Sequence, residues 1–255
     1  MRIATWNVNS IRARLARVRD WLTIRDPDVL CLQETKVADH SFPREALEDL
    51  GYNIEVFGQP TYNGVAILSK SPLEAVVKGL PDDGDGAERR VMAAATEDVL
   101  VVSVYAPNGT AVGTERFHDK LMWFRRLRRF LDDSYPKDEK IVVCGDFNIT
   151  FDDRDVWDPD GFRGHLHCTD DEREAMAHLM GYGLHDALRK FHEEGGLYTW
   201  WDYRALGFQR DEGMRIDHML MSDAALDACR SVHIDRDERK GKAPSDHVPV
   251  VAELS

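Results

Sequence analysis

The chain has 255 residues, 43% of them hydrophobic, and a formal net charge of -13. That length and apolar content can form one large core or two small ones, and no apolar run approaches the roughly 20 residues needed to cross a bilayer, which excludes a membrane-spanning helix. Four scattered cysteines, none in a C-x-x-C pair, argue against a zinc or disulfide framework.

The opening MRIATWNVNS has no apolar leader or cleavage site, so a soluble, intracellular, cytoplasmic protein is expected. Ile3–Trp6 reads as a strand ending at Asn7, and Ile11, Leu15, Val18 and Leu22 then form an apolar stripe at helical spacing. Val29–Leu32 is a second strand, with Glu34 just beyond it. Ile54–Phe57 and Val65–Leu68 flank the turn signal Tyr62–Asn63–Gly64. A further turn at Asp83–Gly84–Asp85–Gly86 precedes strands at Val91–Ala95 and Leu100–Tyr105. Phe117, Leu121, Phe124, Leu127 and Leu131 mark a second helix. Ile141–Cys144, Ile216–Met221 and Val248–Ala252 complete the strands. Several runs are almost wholly apolar, as strands covered on both faces require. Cys31 and Cys144 lie inside such runs and read as small buried hydrophobes. No linker or internal repeat divides the chain, so one domain over 1–255 is expected, an α/β fold of two sheets packed face to face with helices outside.

The acidic balance weighs against a nucleic-acid partner, unless the acids lie away from the substrate or converge on a metal that reverses the local sign. Basic residues do cluster, at Arg12–Arg14–Arg17–Arg19, Arg89–Arg90 and Arg239–Lys240–Lys242, while the Arg125–Arg126–Arg128–Arg129 group reads as a solvated helix face.

Polar residues of chemical interest sit beside apolar strands: Asn7 in ATWNVNS, Glu34 in VLCLQETK, Asp146 and Asn148 in VVCGDFNIT, Asp217 in MRIDHML, and Asp246 with His247 in SDHVPVV. Singly, each is explained as a turn or solvated residue. Together, four carboxylates and a histidine follow apolar strands where one sheet edge could gather them, and an acidic set without thiolates suits Mg2+ or Mn2+. Phosphodiester hydrolysis needs an activated water, charge neutralisation and help for the leaving oxygen. Asp146 can act as base, Asn148 can orient the water or donate to a phosphoryl oxygen, and Glu34 can hold the cation. His247, if protonated, can bind phosphate, with Asp217 raising its pKa. No G-x-x-x-x-G-K-[ST] loop or G-x-S-x-G elbow competes. His165 and His167 read as part of a solvated loop.

With these residues in place, the chain resembles exonuclease III and the related abasic-site endonucleases of the exonuclease–endonuclease–phosphatase superfamily. WNVNSIRAR, LQETK, YAPNG, GDFNI, TWWDYR, RIDHML and SDHVPV carry the likeness from end to end. The resemblance implies a DNase I-like four-layer α/β sandwich and a monomer acting on double-stranded DNA at abasic sites and 3′ ends, as 3′→5′ exonuclease, abasic-site endonuclease and 3′-phosphatase. It implies that Glu34 is the principal metal ligand, assisted by Asn7, with Asp246 a further metal or site-ordering carboxylate. Asp146 and Asn148 would activate water, Asp217 and His247 would form a coupled pair, and Asp146, Asn148 and His247 could also touch the cation. Tyr105 would contact the phosphate or assist the leaving group. Trp200, Trp201, Met214 and Ile216 would line a pocket for a base-free deoxyribose, with Arg90 and Asn108 near the DNA backbone. The acidic Phe151–Cys168 segment departs from the family's pattern. The alternatives are a superfamily phosphatase acting on inositol phosphates or phospholipids, or a DNA-binding homologue without catalysis.

Overall fold

The computed structural model describes residues 1–255. Its strands in chain order are β1 (Arg2–Asn7), β2 (Val29–Gln33), β3 (Asn53–Phe57), β4 (Val65–Ser69), β5 (Glu74–Lys78), β6 (Val91–Thr96) and β7 (Val99–Tyr105). These are followed by β8 (Ile141–Asp146), β9 (Leu184–Asp186), β10 (Trp200–Trp201), β11 (Gly213–Met214), β12 (Asp217–Ser222), β13 (Cys229–Ile234) and β14 (Val250–Leu254). Two six-stranded mixed sheets result, ordered β13-β14-β1-β2-β4-β3 and β5-β6-β7-β8-β12-β9, with β10 and β11 paired on their own.

Each sheet contains one parallel pair joined by a long helix. The Ile11–Arg25 helix connects β1 to β2, and the Glu115–Ser134 helix connects β7 to β8. A parallel crossover needs such a helix to cover the sheet face. Side-chain oxygens of Ser10 and Thr114 accept from backbone N–H groups in the first turns and fix where the helices begin. The register sets Asn7 against Gln33 and Tyr105 against Asp146. Antiparallel pairing sets Asp217 against Asp146.

Four layers account for the burial pattern. Ile3, Val29, Cys31, Val101, Val142, Cys144 and Met219 fill the space between the sheets. The Ile11–Arg25 helix covers one outer face through Val18, Trp21 and Leu22, against Trp6 and Leu30. The Glu115–Ser134 helix buries Trp123, Phe124, Leu127 and Leu131 on the other, where each contributes roughly 1.5–3 kcal/mol. This is the expected four-layer sandwich. Gly145 has φ +148, and an added Cβ would stand 1.9 Å from the Val104 carbonyl oxygen, so β8 reaches its place beside β7 only without a side chain there.

The nine expected strands form, and five further ones join them. β5 is an exposed edge strand, while β9, β10 and β11 have only two or three residues each, too short for alternation to register. The acidity of Phe151–Cys168 is largely neutralised within the fold. Asp155 is fully buried and binds Arg215 at 2.7 and 2.9 Å and Arg189 at 2.5 Å. Asp153 pairs with Arg173 at 3.0 Å, and Asp152 with Arg154.

Burial alone would raise the Asp155 pKa, but Arg215 and Arg189 hold it at about 2. The unfolded value is near 3.9, so this carboxylate stabilises the fold above that pH and stops doing so as pH falls through about 2. Asp155→Asn should lower stability at pH 7 by about 3–5 kcal/mol, the cost of leaving buried guanidinium groups short of a partner. Urea unfolding at pH 7 and pH 3 should show the deficit shrinking at the lower pH; a pH-independent deficit would contradict this electrostatic account.

Candidate active site

The parallel pairs present the ends of β1, β2, β7 and β8 at one edge, and antiparallel pairing brings the beginning of β12 and the turn before β14 to the same place. The sequence reading had Asp217 and Asp246–His247 following strands. Asp217 instead opens β12 and Asp246–His247 precede β14, and reversed strand direction delivers them to the shared edge.

Asn7 joins the sheets. Its amide nitrogen donates to Glu34 Oε1 at 2.9 Å and Asp146 Oδ2 at 2.8 Å, while its oxygen accepts from the Asn9 N–H. Asp146 Oδ1 accepts from the Asn148 N–H at 2.9 Å. His247 Nδ1 lies 2.8 Å from Asp217 Oδ2, which also accepts from the Thr199 hydroxyl at 2.7 Å, and the other ring nitrogen is 3.7 Å from Asp146 Oδ2. Asp146, Asp217 and His247 are almost wholly buried.

Burial pushes Asp146 upward, and Asp217 and Glu34 push it further, against the pull of His247. Burial acts to lower His247, but Asp217 and Asp146 outweigh it and keep the ring charged well above its usual range. The result is an imidazolium beside a carboxylate of enhanced basicity. Burial, then Glu34 and Asp146, hold the Tyr105 phenol well above its ordinary pKa, so it remains a proton donor. The Arg90 guanidinium lies 4.6 Å from the Tyr105 ring centroid, with its Nη1 donating to the Tyr105 carbonyl at 3.2 Å.

Nearest ligand atoms of Glu34, Asp146 and His247 lie within 4.8 Å of one another. Lys36 lies 2.6 Å from Glu34 Oε2, but with Asp217 included three carboxylates face two cations here, Lys36 and the His247 ring, and Asp217 Oδ1 is buried without a partner. These residues fit a metal ion. Asn7 offers the carboxylates its nitrogen, and Asp246 lies outside the trio, accepting from Asn9 at 2.9 Å and from the Trp200 indole at 3.2 Å. The Asn148 amide donates to the Ala106 carbonyl at 3.0 Å and accepts from Asn108 at 3.3 Å.

A cavity of ≈ 360 Å³ has Trp157, Phe162, His167, Trp200 and Met214 in its wall. Trp200 pairs through its backbone with His247, which sets this wall beside the edge where Asp146, Asp217 and His247 meet. Trp201 and Ile216 do not line the cavity. Trp201 is fully buried between Tyr198 and Phe208, because it faces the opposite side of β10 from Trp200, and Ile216 is buried behind the wall, packed with Val156, Cys168 and Met214. His167, read from sequence as solvated, is half-buried and donates through Nδ1 to the Asn148 carbonyl at 2.5 Å. Its left-handed backbone, φ +73, turns it inward, which no local sequence signal announced. Arg90 and Asn108 line a second cavity of ≈ 470 Å³ with Thr110 and Arg116.

Comparison with known proteins matches residues 4–247 to the model of the Endonuclease/Exonuclease/phosphatase family. An exodeoxyribonuclease III of Haemophilus influenzae is 34% identical, with both chains covered in full. The chain belongs to this family, in its exonuclease III and AP endonuclease branch. Among solved structures of the branch, a 3′ phosphatase from Neisseria bound to a product DNA hairpin superposes with a TM-score of 0.97 at 43% identity, covering 100% of this chain and 99% of that one. An AP endonuclease from Archaeoglobus fulgidus gives 0.96 at 36%, with the same coverage. As a member of this branch, the chain is a DNA-repair nuclease that hydrolyses phosphodiesters.

Asp146→Asn keeps the shape of the site and removes its most basic carboxylate, so the variant should fold and lose about 100- to 10,000-fold in turnover. Near-wild-type turnover by purified, folded variant would remove the base assignment. Asp217→Asn deletes the main group raising His247, so the imidazolium should deprotonate at lower pH and the alkaline limb of the rate profile should move down by about one to three units. An unmoved limb, with chemistry rate-limiting, would count against the coupling.

Proposed function

We propose that this chain is a divalent-metal-dependent hydrolase of duplex DNA that removes 3′-phosphates and terminal nucleotides from 3′ ends and also incises at abasic sites, acting as a monomeric single domain. The observation that carries the reading is the convergence of a basic buried carboxylate, an imidazolium and a neutral phenol on one edge beside a pocket walled by Trp200 and Met214. The 3′ phosphatase, AP endonuclease and exodeoxyribonuclease III relatives support the substrate class.

In this reading Asp146 accepts the proton of the attacking water, and its Oδ1 is already oriented by the Asn148 N–H. Asn148 lies beside the attack path, its backbone fixed at φ +52, and orients the water or a phosphoryl oxygen. His247 donates to the phosphoryl oxygen on which charge develops, and Asp217 stabilises that charged ring. Tyr105 donates to the phosphate or to the leaving oxygen. Glu34 and Asp146 would hold the cation, Mg2+ or Mn2+, with Asn7 keeping the two carboxylates together. When bound, that cation supplies neutralisation of the phosphate and of the leaving oxygen. Trp200 and Met214 offer an apolar face to a deoxyribose, and Arg90 and Asn108 approach the backbone from the neighbouring cavity.

The decisive comparison uses one duplex with a 3′-phosphate, one with a recessed 3′ end and one with an abasic analogue, each in Mg2+, in Mn2+ and in chelator, with an inositol phosphate as control. Turnover of the 3′-end duplexes only with metal is expected; turnover of the inositol phosphate instead would overturn the substrate assignment. Within the pocket, Trp200→Ala should reduce kcat/KM for abasic incision more than for 3′-phosphate removal, by about ten- to a hundredfold for a lost aromatic contact. Equal losses on both substrates would mean that Trp200 does not select the sugar.

A further inference from the structure

Lys120 lies on the inner side of the Glu115–Ser134 helix, and neither it nor Glu172 is exposed at all. Its ammonium has three donors and three acceptors: the Asn148 carbonyl at 2.7 Å, the Asn108 carbonyl at 3.2 Å and Glu172 Oε1 at 2.5 Å. Glu172 is equally committed. It accepts from the His167 N–H at 3.1 Å, and from the Thr169 N–H and hydroxyl at 3.1 and 2.8 Å in the capping box of the Asp170–Met180 helix. One buried pair therefore ties together the loops after β7 and β8, the segment carrying His167, and two helices.

A buried ion pair is weak evidence for stability, because apolar residues of equal volume often serve as well. Apolar residues cannot supply directed donors to two carbonyls. Those carbonyls belong to Asn108 and Asn148, whose side chains meet at 3.3 Å, and Asn148 holds a left-handed backbone, φ +52, next to Asp146. Such a conformation persists when surrounding contacts fix it. We propose that Lys120 and Glu172 are positioning residues for hydrolysis, setting Asn148 and the Asn108 loop in their reactive places through the backbone while touching neither substrate nor metal. This rests on the reading of the Asp146–Asn148 edge given under Proposed function.

Lys120→Met combined with Glu172→Gln removes both charges, so neither is left unpaired in the core. Activity is measured at saturating Mn2+ on the 3′-phosphate duplex and on the p-nitrophenyl ester of thymidine 5′-phosphate, a phosphodiester without a duplex, with thermal melting reporting the folded fraction. Misalignment should lower kcat about 10- to 100-fold on both substrates, with KM staying within about threefold, because uniform binding is retained. A folded double variant with wild-type kcat, or a loss no larger than its loss of folded protein, overturns the proposal. Should the double variant not fold, Glu172→Gln alone decides: a kcat reduced by about threefold or more at unchanged KM supports positioning, and an unchanged kcat overturns it. Wild-type protein that turns over the ester but not the duplex would sink the proposed substrate, and the ester would still decide the role of the pair.

Discussion

The structure is organised around an electrostatic constraint. Glu34, Asp146 and Asp217 converge on one imidazole at the edge where the two sheets meet, and like charges this close, taken out of water, must be compensated. His247 and Lys36 supply positive charge, and the Asn7 amide bridges Glu34 on one sheet to Asp146 on the other. Some negative charge remains uncompensated and burial raises Asp146, which is why we propose that this edge takes up a cation and that Asp146 accepts a proton from water.

The fold maintains that arrangement from several sides. Gly145 lets β8 lie against β7 closely enough for Asp146 to face the edge. Thr199 donates to the Asp217 oxygen that also meets His247, and its own oxygen accepts from the Ile216 and Asp217 N–H groups, so the start of β12 is fixed with the pair. Arg215, one residue from Ile216 and two from Asp217, is locked by Asp155 and Asp186. These contacts lie outside the proposed chemistry, yet each limits the movement of a group assigned to it. A site assembled from strand ends and short loops is rigid for this reason, as hydrolysis by aligned groups requires.

Much of this was legible in the sequence. The long apolar runs gave nine strands, and the two helical stripes gave the crossovers, because continuous burial leaves a compositional mark. Glu34, Asp146, Asp217 and His247 stood out as polar residues beside such runs, and they do meet. Three things were not legible. Lys120 lies in a helix with five arginines, where an internal lysine looks like one more solvated cation. His167 depends on a left-handed backbone that its neighbours do not signal. Trp200 and Trp201 are identical side chains in adjacent positions, and only β10's pairing with β11 decides that one faces the cavity and the other the core.

The central claim is that the carboxylates at this edge repel one another until a cation joins them. Thermal melting of wild-type protein and Asp146→Asn at pH 8, first in chelator and then across a Mn2+ titration, tests it most directly. The account predicts that the variant melts above wild type in chelator, because one repelling charge is gone. It also predicts that Mn2+ raises the wild-type melting temperature far more than the variant's and closes the gap. A variant that melts below wild type in chelator, together with a wild-type protein indifferent to Mn2+, would contradict it.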